Sequence, residues 1–202
     1  IVRMDPPDHP RVRRVLVPAF AARSLTREML PKVRARLEAK LDALAAQDGV
    51  VDFKAFAYTF PLEVLGDLMG IPLDDLDQVH EWAHVIAENK LNADSEEAAI
   101  SADRAYHGLL DYVDGLVARQ RGSERAPGVV AALLEAEDDG QISEFEVRQM
   151  LALMIFAGHE TTSNLLAIGM RELLQAPDQW QQLVDDPQGR APAAVEELLR
   201  FV

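Results

Sequence analysis

An acid beside an alcohol, Glu160 and Thr161, stands in the middle of the apolar stretch LMIFAGHETTSNLLAIG, residues 153–169. A carboxylic acid next to a hydroxyl, in a setting poor in water, is a pair able to pass protons to a reacting group. Helix propensity argues against this composition, since glycine costs about 1 kcal/mol and threonine about half as much relative to alanine. Met154, Ala157, Gly158, Thr161, Leu165 and Ile168 share one face at three-and-four spacing, and the small residues at 157 and 158 leave room for a flat object. A hydroxyl at 161 can bond back to the carbonyl at 157, which bends a helix and opens a groove. Close helix–helix packing by the same small residues is the alternative this stretch leaves open.

Other constellations are weaker alone. His9 and Arg13, four apart, put two donors for an anionic group on one helical face. Glu197 and Arg200, three apart in AVEELLRFV, can form a half-buried ion pair or an ordinary surface pair. His80 and His84 are also four apart and read as two surface histidines rather than a metal pair. His159-Glu160 opens like a zinc motif, but Ser163 stands where the second histidine belongs, so no metal ligand set is read here. Residues 135–146, EAEDDGQISEFE, approximate a calcium loop with Glu135 in place of the required aspartate. The simpler reading makes Ser143 a helix cap and Glu146 the other half of a capping box.

These residues must be carried by helices. The 202 residues are 49% hydrophobic and 27% charged, enough for a sizeable core. Proline and glycine divide the chain into helical stretches near 9–21, 27–47, 54–69, 74–90, 95–121, 128–136, 143–175, 178–185 and 191–202, without an alternating strand pattern. The stretch 143–175 would span about 50 Å as one central helix. Residues 1–202 read as a single partial domain cut at both ends, since the chain starts without methionine and stops inside a helical run.

Composition also excludes. No apolar run approaches a membrane span, and without cysteine there is no disulfide framework or thiol nucleophile, which fits a cytoplasmic protein. The net charge of −14 argues against nucleic acid as a partner. Residues 1–40 nevertheless hold ten basic against four acidic side chains, a possible docking face for an acidic protein.

Taken together and in this order, the motifs resemble the haem-thiolate monooxygenases, the cytochrome P-450 family, in its bacterial soluble form. MDPPDHPRVRRVLVPAF resembles the family's C helix, AGHETT its oxygen-activation motif in the central I helix, and EELLR the Glu-x-x-Arg of its K helix. VDFKAFAYTFPLEVLGDLMGIP resembles a stretch of the same bacterial members. The resemblance implies a mainly α fold, the helical portion of the P-450 architecture, with most of the β-sheet outside these residues.

It also implies roles. His9 and Arg13 would bind the propionates of haem b (iron protoporphyrin IX), and Ala157 and Gly158 would pass over its distal face. Thr161 and Glu160 would serve oxygen activation, with Glu160 relaying protons from solvent. Glu197 and Arg200 would be structural. Leu153 and Phe156 would line the pocket of a lipophilic substrate such as a terpenoid, fatty acid, steroid or polyketide. O2 and a ferredoxin with its reductase would be the further partners, the latter meeting Arg11 and Arg14. The family's iron ligand is a cysteine, absent from this chain, so the axial thiolate would have to come from beyond Val202 and the fragment alone would be inactive. The competing reading is a non-enzymatic α-helical ligand-binding or interaction module.

Overall fold

The computed structural model describes residues 4–18, 20, 27, 29–91, 95–122 and 128–201. Among them are ten α-helices and one 3-10 turn, with no strand. α1 (Asp8–Leu16) has Asp8 in its first turn and Arg13 and Arg14 in its last, matching the helix dipole. α2 (Leu30–Ala45) carries a proline in its opening turn. α3 (Phe53–Met69) is capped by Asp52, whose carboxylate accepts from the Ala55 amide at 3.0 Å, and ends on left-handed Gly70. A turn at Leu73–Asp75 leads into α4 (Leu76–Leu91), and Ser95 caps α5 (Glu96–Arg121). α6 (Val129–Asp138), α7 (Glu144–Gly158), α8 (Glu160–Gln175), α9 (Pro177–Asp185) and α10 (Pro187–Phe201) complete the order.

The core gathers around α7. Its Val147, Met150, Leu151 and Ile155 are buried among Leu62, Leu65 and Met69 of α3, Leu109, Val113 and Leu116 of α5, Leu133 and Leu134 of α6, and Val12 of α1. α7 itself touches α3, α4, α5 and α6, so the segment leading to the candidate site is fixed on several sides. α4 and α5 approach closely because Gly108 has no side chain. A Cβ there would lie 2.7 Å from the indole nitrogen of Trp82.

α2 is attached differently, since it buries none of its residues completely. Arg36 forks onto Asp67 of α3, with Nε to Oδ2 at 2.9 Å and Nη2 to Oδ1 at 2.8 Å, and its Nη1 reaches Glu63 at 2.8 Å. Lys40 meets the other oxygen of Glu63 at 2.8 Å. Charged pairs, more than apolar burial, seat this helix.

Two expectations need correction. The single helix over 143–175 is two helices, broken at His159, whose backbone (φ −114°, ψ −43°) ends α7 and precedes α8. The first helix stops at Leu16 instead of reaching 21, and residues 1–3, 19, 21–26, 28, 92–94, 123–127 and 202 lie outside the described set. By contrast, Ser143 and Glu146 do form the capping box: the Ser143 hydroxyl accepts from the Glu146 amide and Glu146 accepts from the Ser143 amide at 2.8 Å.

Candidate functional site

The break at His159 is built from hydroxyls that compete with the helix ladder. The Thr161 hydroxyl donates to the Ala157 carbonyl at 3.1 Å, the back-bond that its spacing allowed. Two residues on, the Ser163 hydroxyl donates to the His159 carbonyl at 2.9 Å, the same oxygen that accepts the Ser163 amide. Side-chain donors thus crowd two successive turns where the chain changes direction.

Two grooves meet at this break. One, of about 400 Å³, lies between α2, α3 and the α7–α8 junction, with Phe20 at its edge and Met154, Ala157, Gly158 and Thr162 among its lining residues. The other, of about 420 Å³, is lined by Thr161, Thr162, Asn164, Leu165, Ile168 and Leu199 of α10. The stripe read from three-and-four spacing therefore faces open space along both helices, and Thr162 borders both grooves. Gly158 has a second constraint, because a Cβ there would stand 3.0 Å from Cδ1 of Leu65 on α3. Close packing accounts for this glycine as directly as an open face does.

On the opposite side of the break the His159 ring is 1% exposed. Its Nε2 lies 2.9 Å from Nδ1 of His80 on α4, and the Tyr58 hydroxyl of α3 contacts that same Nδ1. Burial pushes His80 down to about 4, helped by the neighbouring His159 and His84. Burial also lowers His159, opposed by the Ile155 carbonyl and the Glu160 carboxylate. Nδ1 of His159 forms no hydrogen bond of normal geometry, although that carbonyl is near enough to influence its titration. His80 is thus not the surface residue expected; the partner that buries it lies 79 residues away and leaves no local trace.

The remaining residues fall as follows. His9 is half-buried and Arg13 exposed on one side of α1, and neither side chain makes a hydrogen bond or ion pair among the described residues. Arg11 is not free to meet a partner protein. It donates to Glu146 at 2.5 Å, to Asp8 at 3.2 Å and to the Gln141 carbonyl at 2.9 Å, while Arg14 remains exposed. Glu160 is half-buried and Thr161 exposed. Leu153 and Phe156 are half-buried, and the groove takes Met154 from their turn. Glu197 and Arg200 pair bidentately at 2.8 and 2.5 Å with side chains 63% and 70% exposed, which makes them a surface pair in this chain.

Comparison with known proteins adds what geometry alone does not. The chain is 34% identical over 202 residues to cytochrome P450 107B1 of Saccharopolyspora erythraea, matching along its whole length and 47% of that relative. The vitamin D(3) 25-hydroxylase of Pseudonocardia autotrophica is 35% identical over 204 residues, again along all of this chain and 48% of the relative. The chain belongs to the cytochrome P450 family. The crystal structure of the myxobacterial cytochrome P450 CYP267B1 in complex with myristic acid superposes with a TM-score of 0.87 at 31% identity, covering 97% of this chain and 47% of that one. No family model matches the chain. It spans about half the length of the P450 relatives it matches. The helices described above are therefore a helical portion of the P450 fold, with α7 and α8 corresponding to the central helix that the motif AGHETT suggested.

Proposed function

We propose that the chain is the C-helix to K-helix part of a haem-thiolate monooxygenase that inserts one atom of O2 into a lipophilic substrate. The observation that carries this reading is the break itself: an acid and an alcohol, Glu160 and Thr161, stand where the apolar helix bends beside an open groove floored by Ala157 and Gly158. The haem, when bound, supplies O2 reduction and C–H oxidation. The chemistry of the donor set fits one half of such a site. His9 and Arg13 are unpartnered cationic or neutral donors on one face of α1, suited to propionate carboxylates, and the small residues at 157 and 158 suit a planar ring. A chain without cysteine offers no thiolate for the iron, so that ligand would come from sequence outside these 202 residues.

The chain's own residues have definable tasks. Thr161, its hydroxyl hydrogen donated to Ala157, keeps lone pairs free to accept a proton-bearing donor from the groove side. Glu160, half-buried at the start of α8, exchanges protons with solvent and passes them along that hydroxyl. Glu197 and Arg200 are assigned a structural role in the intact protein. Leu153 and Phe156, half-buried on the same turn as the groove-lining Met154, would line the substrate pocket of the intact protein.

A lipophilic substrate is supported by a relative named for vitamin D(3) and a structural neighbour bound to myristic acid. Electrons would come from a ferredoxin-type partner. Since Arg11 is engaged by Glu146, Arg14 is the exposed cation of the expected pair left to meet such a partner. Among the described residues no helix is long and apolar enough to cross a membrane, in keeping with a cytoplasmic assignment.

The test is spectroscopic and then kinetic. The intact protein, reduced under CO, should give the red-shifted Soret band of thiolate-ligated haem, while the 202-residue chain alone should not. With myristic acid or vitamin D3 as probe, Thr161→Ala should keep haem and substrate binding but divert reductant to peroxide. An intact protein that binds no haem would overturn the monooxygenase reading and favour a binding or interaction module.

A further inference from the structure

His159 lies outside every task just assigned, yet it is the residue at which the central helix breaks and its ring is among the most buried polar groups described. Burying an imidazole with one nitrogen unsatisfied is unfavourable. Its surroundings show what the site maintains. His80 stands edge-on to Tyr58 (centroids 4.3 Å apart, planes at 82°) and edge-on to His159 (5.2 Å, 85°), so one ring of α4 is wedged between α3 and the break. Tyr58 contributes twice, through its hydroxyl to His80 and through its carbonyl, which accepts a long 3.5 Å contact from the Ser163 hydroxyl. Ser163 in turn binds the His159 carbonyl. Both the side chain and the backbone of His159 are therefore tied, directly or through one residue, to α3 and α4.

We infer that His80 and Tyr58 are positioning residues: by holding the His159 imidazole they fix the offset between α7 and α8, and so where Glu160 and Thr161 stand over the grooves. This inference rests on the monooxygenase reading only for what that position is used for; the mechanical link is independent of it.

The link has one proton-dependent part. Nδ1 of His80 carries either a hydrogen or a lone pair, so it cannot be donor to one neighbour and acceptor from another at once. With both rings neutral, one imidazole donates and the other accepts across the 2.9 Å gap. Protonating one ring still leaves an N–H facing the lone pair of the other, so the acceptor is lost only when both rings are protonated, and what opposes the first proton is the burial of the pair. The groups facing the pair are Tyr58 from α3, His84 from α4 and Glu160 from α8. His84 stacks on His80 at 5.6 Å, is 42% exposed and pairs with Glu88 at 3.3 Å, so protons reach the cluster from that side. Because His80 is held down at about 4, unfolded or opened chain binds a proton that the closed cluster does not, between about 6.5 and 4. The hold is thus complete above about 6.5 and weakens as pH falls through that window.

The experiment uses the intact haem-loaded protein and three variants. Asn at position 80 places a polar atom where Nδ1 sits but does not titrate, Phe fills the space without one, and Tyr58→Phe removes only the hydroxyl. The first readout is hydrogen exchange over residues 159–166, corrected for the intrinsic pH dependence of exchange. The second is the CO stretching frequency of the reduced, CO-bound protein, which reports hydrogen-bonding groups near the haem. Expected for His80→Phe is exchange about tenfold faster at every pH and a CO frequency moved towards that of Thr161→Ala. His80→Asn should match the unsubstituted protein at pH 7 and lose the acid-side acceleration, and Tyr58→Phe should lie between. Exchange and frequency unchanged in His80→Phe would overturn the inference, as would acid sensitivity retained in His80→Asn. If the protein binds no haem, the monooxygenase reading falls while the exchange data still decide this one.

Discussion

The guanidinium of Arg11 meets the carboxylate of Glu146 at 2.5 Å, fastening α1 to the first turn of α7, the helix that leads to the break. Glu146 serves two purposes there, since it also completes the capping box with Ser143. The Arg11 hydrogen bond is the main reason its carboxyl is held down at about 2, with burial opposing and the Ser143 amide and hydroxyl assisting.

Glu146→Ala should therefore lose the reciprocal half of the capping box, the bond from the Ser143 amide, and the tie to α1 besides. The first loss should cost less than the ~1 kcal/mol of a full cap, because Ser143 still caps the residue-146 amide. A depressed carboxylate contributes stability that is present above its ordinary value near 4.5 and is lost as pH falls towards 2. Glu146→Gln should preserve much of the capping geometry but remove this acid limb. Urea titrations at pH 7 and pH 3 check both: a Gln variant with the same acid destabilisation as the unsubstituted chain would contradict the assignment.

α2 gives a sharper case of attachment by charge. Arg36→Ala should release it, at about 1–2 kcal/mol for a partly buried bidentate network. Amides of residues 30–45 should exchange faster while those of α7 do not change. Arg36→Lys should restore little, because an ammonium cannot fork onto both oxygens of Asp67 while reaching Glu63. Full protection in the Lys variant would reduce the network to simple charge attraction.

What could be read from the sequence was the local part. The capping box, the helix positions and the Thr161 back-bond each involve residues three or four apart, so the spacing itself specifies them. A bend was legible, since the Thr161 back-bond predicts one, but its growth into a full break at His159 was not, because helix periodicity continues through it and the ring is buried against other helices. Arg11 and Glu146 are 135 positions apart, and His80 and His159 are 79 apart. Such pairs depend on how helices are placed, which hydrophobic pattern does not encode. Of the candidate site, Glu160, Thr161 and the groove-lining stripe emerged in advance, and the polar cluster behind them did not.

The exposure of Glu197 and Arg200 alters what their removal should do. A buried pair broken at one end is strongly destabilising, but this one is largely solvated, with Glu197 lowered by the Arg200 hydrogen bond. Glu197→Ala should leave the melting temperature of the 202-residue chain unchanged within error. The same substitution in the intact protein should lower the yield of haem-loaded material if further sequence covers this face. Calorimetry on the chain and haem content of the purified intact variant separate the two settings, and a large destabilisation of the chain itself would show that the pair acts within these helices.

Gly158 poses the last question, since two physical reasons for it coexist. Its open side borders the groove with Ala157, and its Cβ direction points at Leu65 Cδ1, 3.0 Å away. That contact is the end of a flexible side chain, so Gly158→Ala should be tolerated with a small loss, whereas Gly158→Val adds branches that Leu65 cannot clear and should cost about 1–3 kcal/mol. A double-mutant cycle with Leu65→Ala isolates the packing contribution, because the two sites touch and their effects should couple by roughly 1 kcal/mol. If close packing is the only reason for the glycine, the double variant should load haem and bind CO as Leu65→Ala alone does. If the open face also matters, stability will couple as expected while CO binding in the intact protein stays impaired whenever residue 158 carries a side chain. Flash-photolysis rebinding rates for the single and double variants decide between these outcomes, and the open-face role predicts slow rebinding in both Gly158 variants.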